Sequence, residues 1–294
     1  MELSMNPWLF LFLISGYFFF LAIYAFGPIL LLLKRISDAA GGQKKLFWKY
    51  VFLFLGGALA TAPILLCEIG LTEIFDPDPK TIRGAFIDAF VVAGFVEETF
   101  KFIVLMLFVL TTSRFIRYVR GISFAAFVSM GFAFVENIFY IVQHDLPNHH
   151  LITAITRALT SIPGHFSFAV LMGYFLSLAV LGKNKGVNIL KTKGAFAEAS
   201  ASRKWNFFKY LALSYLSAVG AHGVYDFLLM VGRADADLGG LGFVAWIGYM
   251  VFVYKGTVML CDQLKAKDDK LREKNAPKKD YYRIASSRAR SPMR

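Results

Sequence analysis

Hydrophobic residues occur along this chain in seven long runs, which are separated by shorter polar segments. The runs cover residues 8–33, 47–71, 84–111, 119–143, 155–181, 207–231 and 240–260. Each run is long enough to cross the roughly 30 Å hydrocarbon layer of a bilayer as a helix. None shows the alternation of apolar and polar residues that marks a transmembrane strand. The pattern predicts an all-α fold, a polytopic transmembrane helical bundle of about seven spans.

The charged residues between the runs predict how the bundle lies in the membrane. The loops after the first, third and fifth runs are rich in Lys and Arg, whereas the alternate loops contain few basic residues. Cytoplasmic loops of membrane proteins contain the excess of Lys and Arg. We therefore expect a multi-pass protein of the cell membrane with its amino terminus outside and its carboxyl terminus in the cytoplasm.

The composition agrees with a membrane protein and divides the chain in two. Of the 294 residues, 57% are hydrophobic and 18% are charged. Eleven of the 32 Lys and Arg residues follow Cys261, where the apolar content is too low for independent folding. We expect one transmembrane domain over residues 1–261 and a basic, disordered cytoplasmic tail over residues 262–294. A basic edge on a hydrophobic body is suited to anionic membrane lipids, so the net charge of +12 does not indicate nucleic acid.

Several predicted spans contain ionisable side chains, which are costly at membrane depth and therefore mark functional sites. The helical rise places these groups roughly 8 to 20 Å below the outer ends of their spans. Four helices thus bring polar groups to the middle and outer half of the bilayer, which predicts a polar cavity reached from the extracytoplasmic side. The residues are Glu97, Glu98 and Lys101 in the third span, Glu136 in the fourth, His165 in the fifth, and His222 and Asp226 in the sixth.

The glutamate pair is the most costly of these features. Glu97 and Lys101 are four residues apart on a helix and are expected to face one another, whereas Glu98 points about 100° away. Two neighbouring carboxylates in a medium of low dielectric do not both ionise easily. We therefore expect Lys101 to keep one of them charged and the other to be available for acid and base chemistry. The alternative is an ion pair that only locks helix packing.

Other polar residues are expected to belong to the same cavity. His222 and Asp226 are four residues apart, so that the carboxylate orients the imidazole or both groups face a metal. Pro163 is expected to kink the fifth span and to free a backbone carbonyl group there. Arg157 either reaches the membrane interface or pairs with a carboxylate such as Glu136.

In their order and spacing, these residues resemble the PrsW family of intramembrane proteases, which is related to the type II CAAX prenyl endopeptidases. The resemblance covers a motif core of about residues 85–230. One departure is Arg120, where many members have an acidic residue. The matching segments are EExxK at 97–101, FxxxE followed by Asn at 132–137, the intervening helix at 157–174 and HxxxD at 222–226.

The resemblance implies an intramembrane endopeptidase that hydrolyses a peptide bond of a membrane-anchored substrate. That substrate is expected to be a single-pass membrane protein, for example a regulator of the anti-sigma-factor type. By analogy with the CAAX enzymes, Glu97 activates water, and Glu98 together with Lys101 tunes it. His222 and Asp226 then stabilise the oxyanion or orient the water.

The sequence leaves open whether a metal takes part. Glu136, His165 and His222 offer the two histidines and one glutamate of a catalytic Zn²⁺ site, with Glu97 left as the base. The chain lacks the HExxH helix that is the usual signature of zinc proteases. A metal-free mechanism, in which glutamate alone activates the water, is the alternative.

A different class of function uses the same kinds of residue. Buried carboxylates and histidines also line the ion paths of proton-coupled transporters. We find no internal repeat of the kind that transporters often contain, so the protease is the favoured prediction. A cavity confined to the outer half of the bundle favours hydrolysis, whereas a polar path that continues to Arg114 and Arg117 favours transport.

Overall fold

All regular structure in the described part of the chain is helical. The computed structural model describes residues 27–38, 46–112, 115, 117–143, 147–182, 188–190 and 194–274. We number the helices in chain order, and α3 consists of three segments joined end to end. The helices are α1 (27–38), α2 (Phe47–Phe75), α3 (Ile82–Phe86, Ile87–Gly94 and Phe95–Thr111), α4 (Val119–Val142), α5 (Pro147–Leu159), α6 (Ser161–Leu181), α7 (Ala201–Ala234) and α8 (Ala236–Lys274).

The helices agree with the hydropathy pattern, and the predicted all-α fold is confirmed for the described residues. Four helices there are long and apolar enough to cross a membrane, namely Phe47–Phe75, Val119–Val142, His150–Leu181 and Ala236–Lys274. The predicted third and sixth spans are also helical, as α3 and α7, although they contain most of the buried ionisable residues. Residues 8–26 of the predicted first span lie outside the described part of the chain. The number of seven spans and the orientation of the termini stay predictions.

Five helices form a closed ring. Helix α4 packs between α2 and α6, α7 packs between α6 and α3, and α3 returns to α2, while α8 lies outside the ring against α6 and α7. The half of the ring nearest the basic loops contains mainly buried apolar side chains, including Leu105, Val109, Phe124 and Val128. Because lipid tails are as apolar as these side chains, close packing holds such helices together.

Glycines allow the central helix α4 to approach its neighbours closely. A Cβ atom added at Gly131 would lie 1.9 Å from the carbonyl oxygen of Phe54 on α2. On the opposite side, a Cβ atom added at Gly173 of α6 would lie 2.5 Å from both the Gly121 carbonyl oxygen and the Ile122 Cα atom of α4. Small residues at helix crossings are typical of membrane proteins. At these two crossings the helix backbones are in contact, and a larger side chain has no room.

The fifth predicted span is divided into two helices. Thr160 separates α5 from α6 with φ −120° and ψ −65°. Pro163 lies in the first turn of α6, where a proline is tolerated because that N–H group has no partner within the helix. Its ring cannot donate to the carbonyl group four residues earlier, at Leu159. The expected disturbance of the fifth span is therefore seen as this break at Thr160, and α5 and α6 together supply the apolar stretch His150–Leu181.

The carboxyl-terminal helix extends beyond the predicted domain boundary at residue 261. Helix α8 continues to Lys274, so the expectation of a disordered tail is wrong for residues 262–274. Asp268 is buried, and its carboxylate accepts hydrogen bonds from the backbone N–H groups of Tyr118 (2.7 Å) and Val119 (3.0 Å). These N–H groups at the start of α4 have no partner within that helix, and a carboxylate is favourable at a helix amino terminus. Residues 275–294 lie outside the described part of the chain.

Candidate active site

The glutamate pair lies inside the ring, and Lys101 bonds to both carboxylates. Lys101 Nζ is 2.9 Å from Glu97 Oε2 and 2.8 Å from Glu98 Oε1. The expectation that Glu98 points away is wrong in this respect, because positions three and four residues apart lie on the same side of a helix. All three side chains are buried, and Glu98 is completely inaccessible. The pairing of opposite charges lowers the cost of placing them inside the membrane.

A widened helical turn precedes the glutamate pair. Residues Ile87–Gly94 form a π-helical segment of α3. The Phe90 side chain in this segment packs against Gly223 on α7. A Cβ atom added at Gly223 would lie 2.3 Å from the Phe90 ring. Such segments are rare and occur frequently at functional sites. The π segment thus allows α3 and α7 to meet closely beside His222, and the hydropathy pattern contains no sign of it.

His222 connects α7 to the glutamate pair. Its Nδ1 atom is 3.0 Å from Glu98 Oε1 and 3.7 Å from Glu97 Oε2, and its Nε2 atom is 3.1 Å from Asp226 Oδ2. Phe168 stacks on one face of the imidazole, with 5.0 Å between the ring centroids. The Asp226 carboxylate therefore orients the imidazole, which is the first of the two predicted arrangements.

His165 connects Lys101 to Glu136 on α4. Its Nδ1 atom is 3.2 Å from Lys101 Nζ, and its Nε2 atom is 2.9 Å from Glu136 Oε2. Because an ammonium group only donates, Nδ1 is the acceptor and Nε2 holds the proton that is donated to Glu136. Arg157 Nη2 lies 2.6 Å from Glu136 Oε2, and Arg157 Nε donates to Asn137 Oδ1 at 2.6 Å. Of the two predictions for Arg157, the pairing with Glu136 is the one that the structure shows.

A cavity of about 570 Å³ adjoins this cluster. It lies between the ends of the helices that are opposite the basic loops, in the half of the bundle where the sequence predicts it. Of the glutamate pair, Glu97 is among the described residues that line the cavity, whereas Glu98 and Lys101 are not. Ligand cavities in proteins commonly have volumes of roughly 300 to 1,000 Å³. The predicted site residues that line the cavity are Glu97, Glu136, His165, His222 and Asp226.

The sequence reasoning missed several residues that line this cavity, of which Glu68 and Tyr140 lie beside predicted site residues. Glu68 on α2 lines the cavity and lies close enough to Glu97 and Glu136 to feel their charges. The rule that found the other carboxylates also applies to Glu68, because it lies within the second apolar run. Tyr140 also lines the cavity, and the Arg157 guanidinium lies over its ring at 3.9 Å from the centroid. No sequence signal distinguishes Tyr140 from the other aromatic residues of its span.

The comparison with known proteins agrees with this geometry. A family model described as "PrsW family intramembrane metalloprotease" matches residues 45–255, which is well over half of the chain. The chain belongs to the PrsW family. The family resemblance found in the sequence is thereby confirmed. No solved structure matches the chain.

Three bacterial relatives named "Protease PrsW" illustrate the similarity. The protein of Clostridioides difficile (strain 630) is 33% identical over 180 residues, which cover 60% of this chain and 66% of that protein. The protein of Bacillus subtilis (strain 168) is 33% identical over 176 residues, with 60% and 67% covered. The protein of Shouchella clausii (strain KSM-K16) is 26% identical over 236 residues, with 80% and 92% covered. The match to the first two relatives thus spans about two thirds of their length.

The PrsW family description implies a metal, and the donor atoms of the cluster fit one. One ligand atom from each of Glu97, Glu98, His165 and His222 lies within 4.8 Å of the others. Both imidazoles direct Nδ1 into this group and Nε2 towards a carboxylate. His165 Nδ1 accepts from Lys101, whereas His222 Nδ1 donates to the Glu98 carboxylate and would have to give up that proton to bind a metal. Glu98 Oε2 is buried and makes no hydrogen bond in the described part of the chain, which leaves one donor atom unused. Nitrogen and carboxylate oxygen are common ligands of Zn²⁺.

This group differs from the ligand set predicted from the sequence. Glu136 is bonded to the outer nitrogen of His165 instead of joining the central group. The two glutamates of α3 take its place beside His165 and His222. The sequence could not distinguish these alternatives, because the choice depends on how α4 and α6 are rotated about their axes.

Proposed function

We propose that this PrsW-family protein is an intramembrane endopeptidase, which hydrolyses a peptide bond of a membrane-anchored substrate with Glu97 as general base. The main support is that Glu97 is the member of the glutamate pair that lines the cavity. Side chains from the other family motifs line the same cavity. A segment of substrate backbone in this cavity would meet water next to the Glu97 carboxylate. A single-pass membrane protein, with one helix to unwind, is the substrate class that suits this site.

The proposed reaction needs one water molecule and one proton acceptor. Glu97 accepts a proton from water while the water oxygen bonds to the peptide carbonyl carbon. The proton then passes to the peptide nitrogen as the C–N bond breaks, which leaves a carboxylic acid and an amine. Lys101 orients the Glu97 carboxylate at 2.9 Å and balances its charge. Glu98 does not reach the cavity. Its carboxylate bonds to Lys101 and to His222 and so positions both side chains.

The remaining polar groups of the cavity are suited to the charge that develops on the carbonyl oxygen. His222, oriented by Asp226, lines the cavity and can stabilise the oxyanion or orient the water. If a metal is bound, Glu98, His165 and His222 are the residues that would hold it beside Glu97. Such an ion supplies Lewis-acid polarisation of the carbonyl group and lowers the pKa of bound water.

The cavity also bears on the alternative of a proton-coupled transporter. Its described lining comes from the half of the bundle that is opposite the basic loops, and Arg117 is not part of it. Between the glutamate pair and the basic loops, most buried side chains of the ring are apolar, such as Leu105 and Val109. Arg120, Ser123 and Ser129 are also buried there, and both serines donate to backbone carbonyl groups. A continuous polar path, which transport requires, therefore has less support than a hydrolytic site at one end of the bundle.

The proposed function can be tested by co-expressing the protein with candidate single-pass membrane proteins. Wild type is expected to release fragments of at least one candidate, and Glu97→Ala is expected to release none. Glu73→Ala is the matched control, because Glu73 is exposed on α2 and lies outside the described cavity lining. If wild type and Glu97→Ala give the same fragments from every candidate, the protease function is contradicted.

Glu136→Gln is expected to lower the kcat of cleavage by roughly 10- to 100-fold, with KM within about twofold of wild type. The reason is that Glu136 fixes the His165 ring and its proton at 2.9 Å without belonging to the central group. Steady-state kinetics with purified protein measure the effect, and Glu136→Asp should recover part of the lost rate. A rise in KM at unchanged kcat would mean that Glu136 binds substrate instead.

A further inference from the structure

We propose that the Lys101 ammonium group is a built-in cation that occupies the metal position of this site and is displaced when a metal ion binds. The inference rests on the proposed protease site and on its group of residues that could hold a metal, but it can be tested without substrate. Lys101 would then have two functions, because it keeps the unloaded site intact and it limits the affinity for the metal.

The position of the ammonium group is the first argument. Lys101 Nζ contacts Glu97 Oε2 at 2.9 Å, Glu98 Oε1 at 2.8 Å and His165 Nδ1 at 3.2 Å. These residues supply three of the four members of the group that could hold a metal. The fourth member, His222, bonds with its Nδ1 atom to the same Glu98 oxygen at 3.0 Å. The ammonium group thus lies among the donor atoms that a metal ion would use.

The chemistry of His165 is the second argument. Metal binding requires a lone pair on the nitrogen that faces the ion. His165 Nδ1 already offers its lone pair to Lys101, and Nε2 is directed to Glu136. The tautomer that accepts from the ammonium group is therefore also the tautomer that binds a metal. Exchange of one cation for the other needs no rearrangement of protons on this ring.

The charges of the site explain why the two cations exclude one another. One ammonium group offsets part of the charge of two carboxylates in the apolar interior, and its removal alone would leave two buried charges of like sign. A divalent ion in contact with the same oxygens would repel an ammonium group that also contacts them. The Phe132 ring, whose centroid is 4.0 Å from Nζ, lies beside the ammonium group. Glu98 Oε2 offers a further buried acceptor atom.

Two properties follow from this exchange. The metal-free protein should remain folded, because Lys101 continues to bridge α3 to His165 on α6. The affinity for metal should be lower than the donor set alone would give, because the ion must displace a well-bonded cation. Substitution of Lys101 by an uncharged residue should therefore raise the metal affinity and the gain in stability on metal binding. Loss of a metal ligand should lower both.

The test is metal binding by the purified full chain in detergent after treatment with a chelator. Zn²⁺ affinity is measured by competition with a chromophoric chelator, and thermal unfolding is followed with and without Zn²⁺. Lys101→Met should bind Zn²⁺ about tenfold or more tightly than wild type, which corresponds to about 1.4 kcal/mol or more. It should also unfold at a lower temperature than wild type without metal and regain that stability with Zn²⁺.

Two further variants make the result decisive. Lys101→Arg retains a cation that is larger and permanently charged, so it should bind Zn²⁺ more weakly than wild type. Lys255→Met removes an exposed lysine of α8 and should bind Zn²⁺ like wild type. Equal or weaker binding by Lys101→Met overturns the proposal. If Lys101→Met does not fold even with Zn²⁺, the test is the affinity of Lys101→Arg. The proposal is then overturned if Lys101→Arg binds Zn²⁺ as tightly as wild type does. Neither outcome depends on cleavage of a substrate, so the proposed protease function is tested separately.

Discussion

Glu97→Gln should lower the rate of substrate cleavage about a thousandfold, while the protein stays folded. A positioned general base contributes roughly two to four orders of magnitude to such a reaction, and an amide cannot accept the proton. The Gln side chain retains the size of Glu and an oxygen atom that can accept from Lys101, so packing changes little. The measurement is single-turnover cleavage of an identified substrate by purified protein, together with its thermal unfolding temperature.

Two other glutamates provide the comparison for this result. Glu98→Gln should reduce cleavage by a smaller factor, because Glu98 supports Lys101 and His222 but does not line the cavity. Glu73→Gln, at an exposed position of α2, should cleave like wild type. Wild-type rates in both Glu97→Gln and Glu98→Gln would exclude the glutamate pair from the chemistry. A larger loss in Glu98→Gln than in Glu97→Gln would exchange their proposed roles.

Gly173→Val should lower the unfolding temperature by about 10 °C or prevent accumulation of folded protein. A Cβ atom at this position would lie 2.5 Å from the Ile122 Cα atom, which is part of the α4 backbone. Overpacking of a well-packed interior typically costs roughly 1–3 kcal/mol, and more when backbone instead of a side chain must move. Helices α4 and α6 would have to separate, and with them Glu136 and His165. The measurement is thermal unfolding in detergent with size-exclusion chromatography.

Gly248→Val is the matched control for this substitution. Gly248 lies on a membrane helix, is exposed and has no atom within 4 Å of the position of an added Cβ atom. The unfolding temperature of this variant should stay close to that of wild type. If Gly173→Val unfolds at the same temperature as Gly248→Val, close contact between α4 and α6 does not limit stability.

The helix content and the chemistry of the site are features that local sequence can specify. A run of 20 or more apolar residues must satisfy its backbone groups internally, so it forms a helix in the membrane whatever its neighbours are. A charged residue in such a run is costly enough to mark a functional position by itself. For this reason the sequence alone identifies Glu97, Glu136, His165 and His222. Glu68, near the end of its apolar run, meets the same condition although it was missed.

The boundaries and junctions of the helices were predicted less completely. Pro163 predicts a break, because its ring cannot donate a hydrogen bond to the carbonyl group four residues earlier in the chain. The end of α8 at Lys274 depends on a carboxylate, Asp268, that meets the start of α4 about 150 residues earlier in the chain. Hydropathy is a local quantity and contains no information about such a contact.

The sequence by itself determined that this chain is helical and membrane-embedded, and which ionisable residues its spans contain, because these follow from composition over windows of about 20 residues. The tertiary structure decided how those residues are arranged. It placed Lys101 between both glutamates, Glu136 behind His165, and Glu97 at the cavity. These arrangements depend on the rotation of each helix about its axis and on the close crossings of α4 and α7. Both are set by packing between residues distant in sequence, which no single segment of the chain specifies.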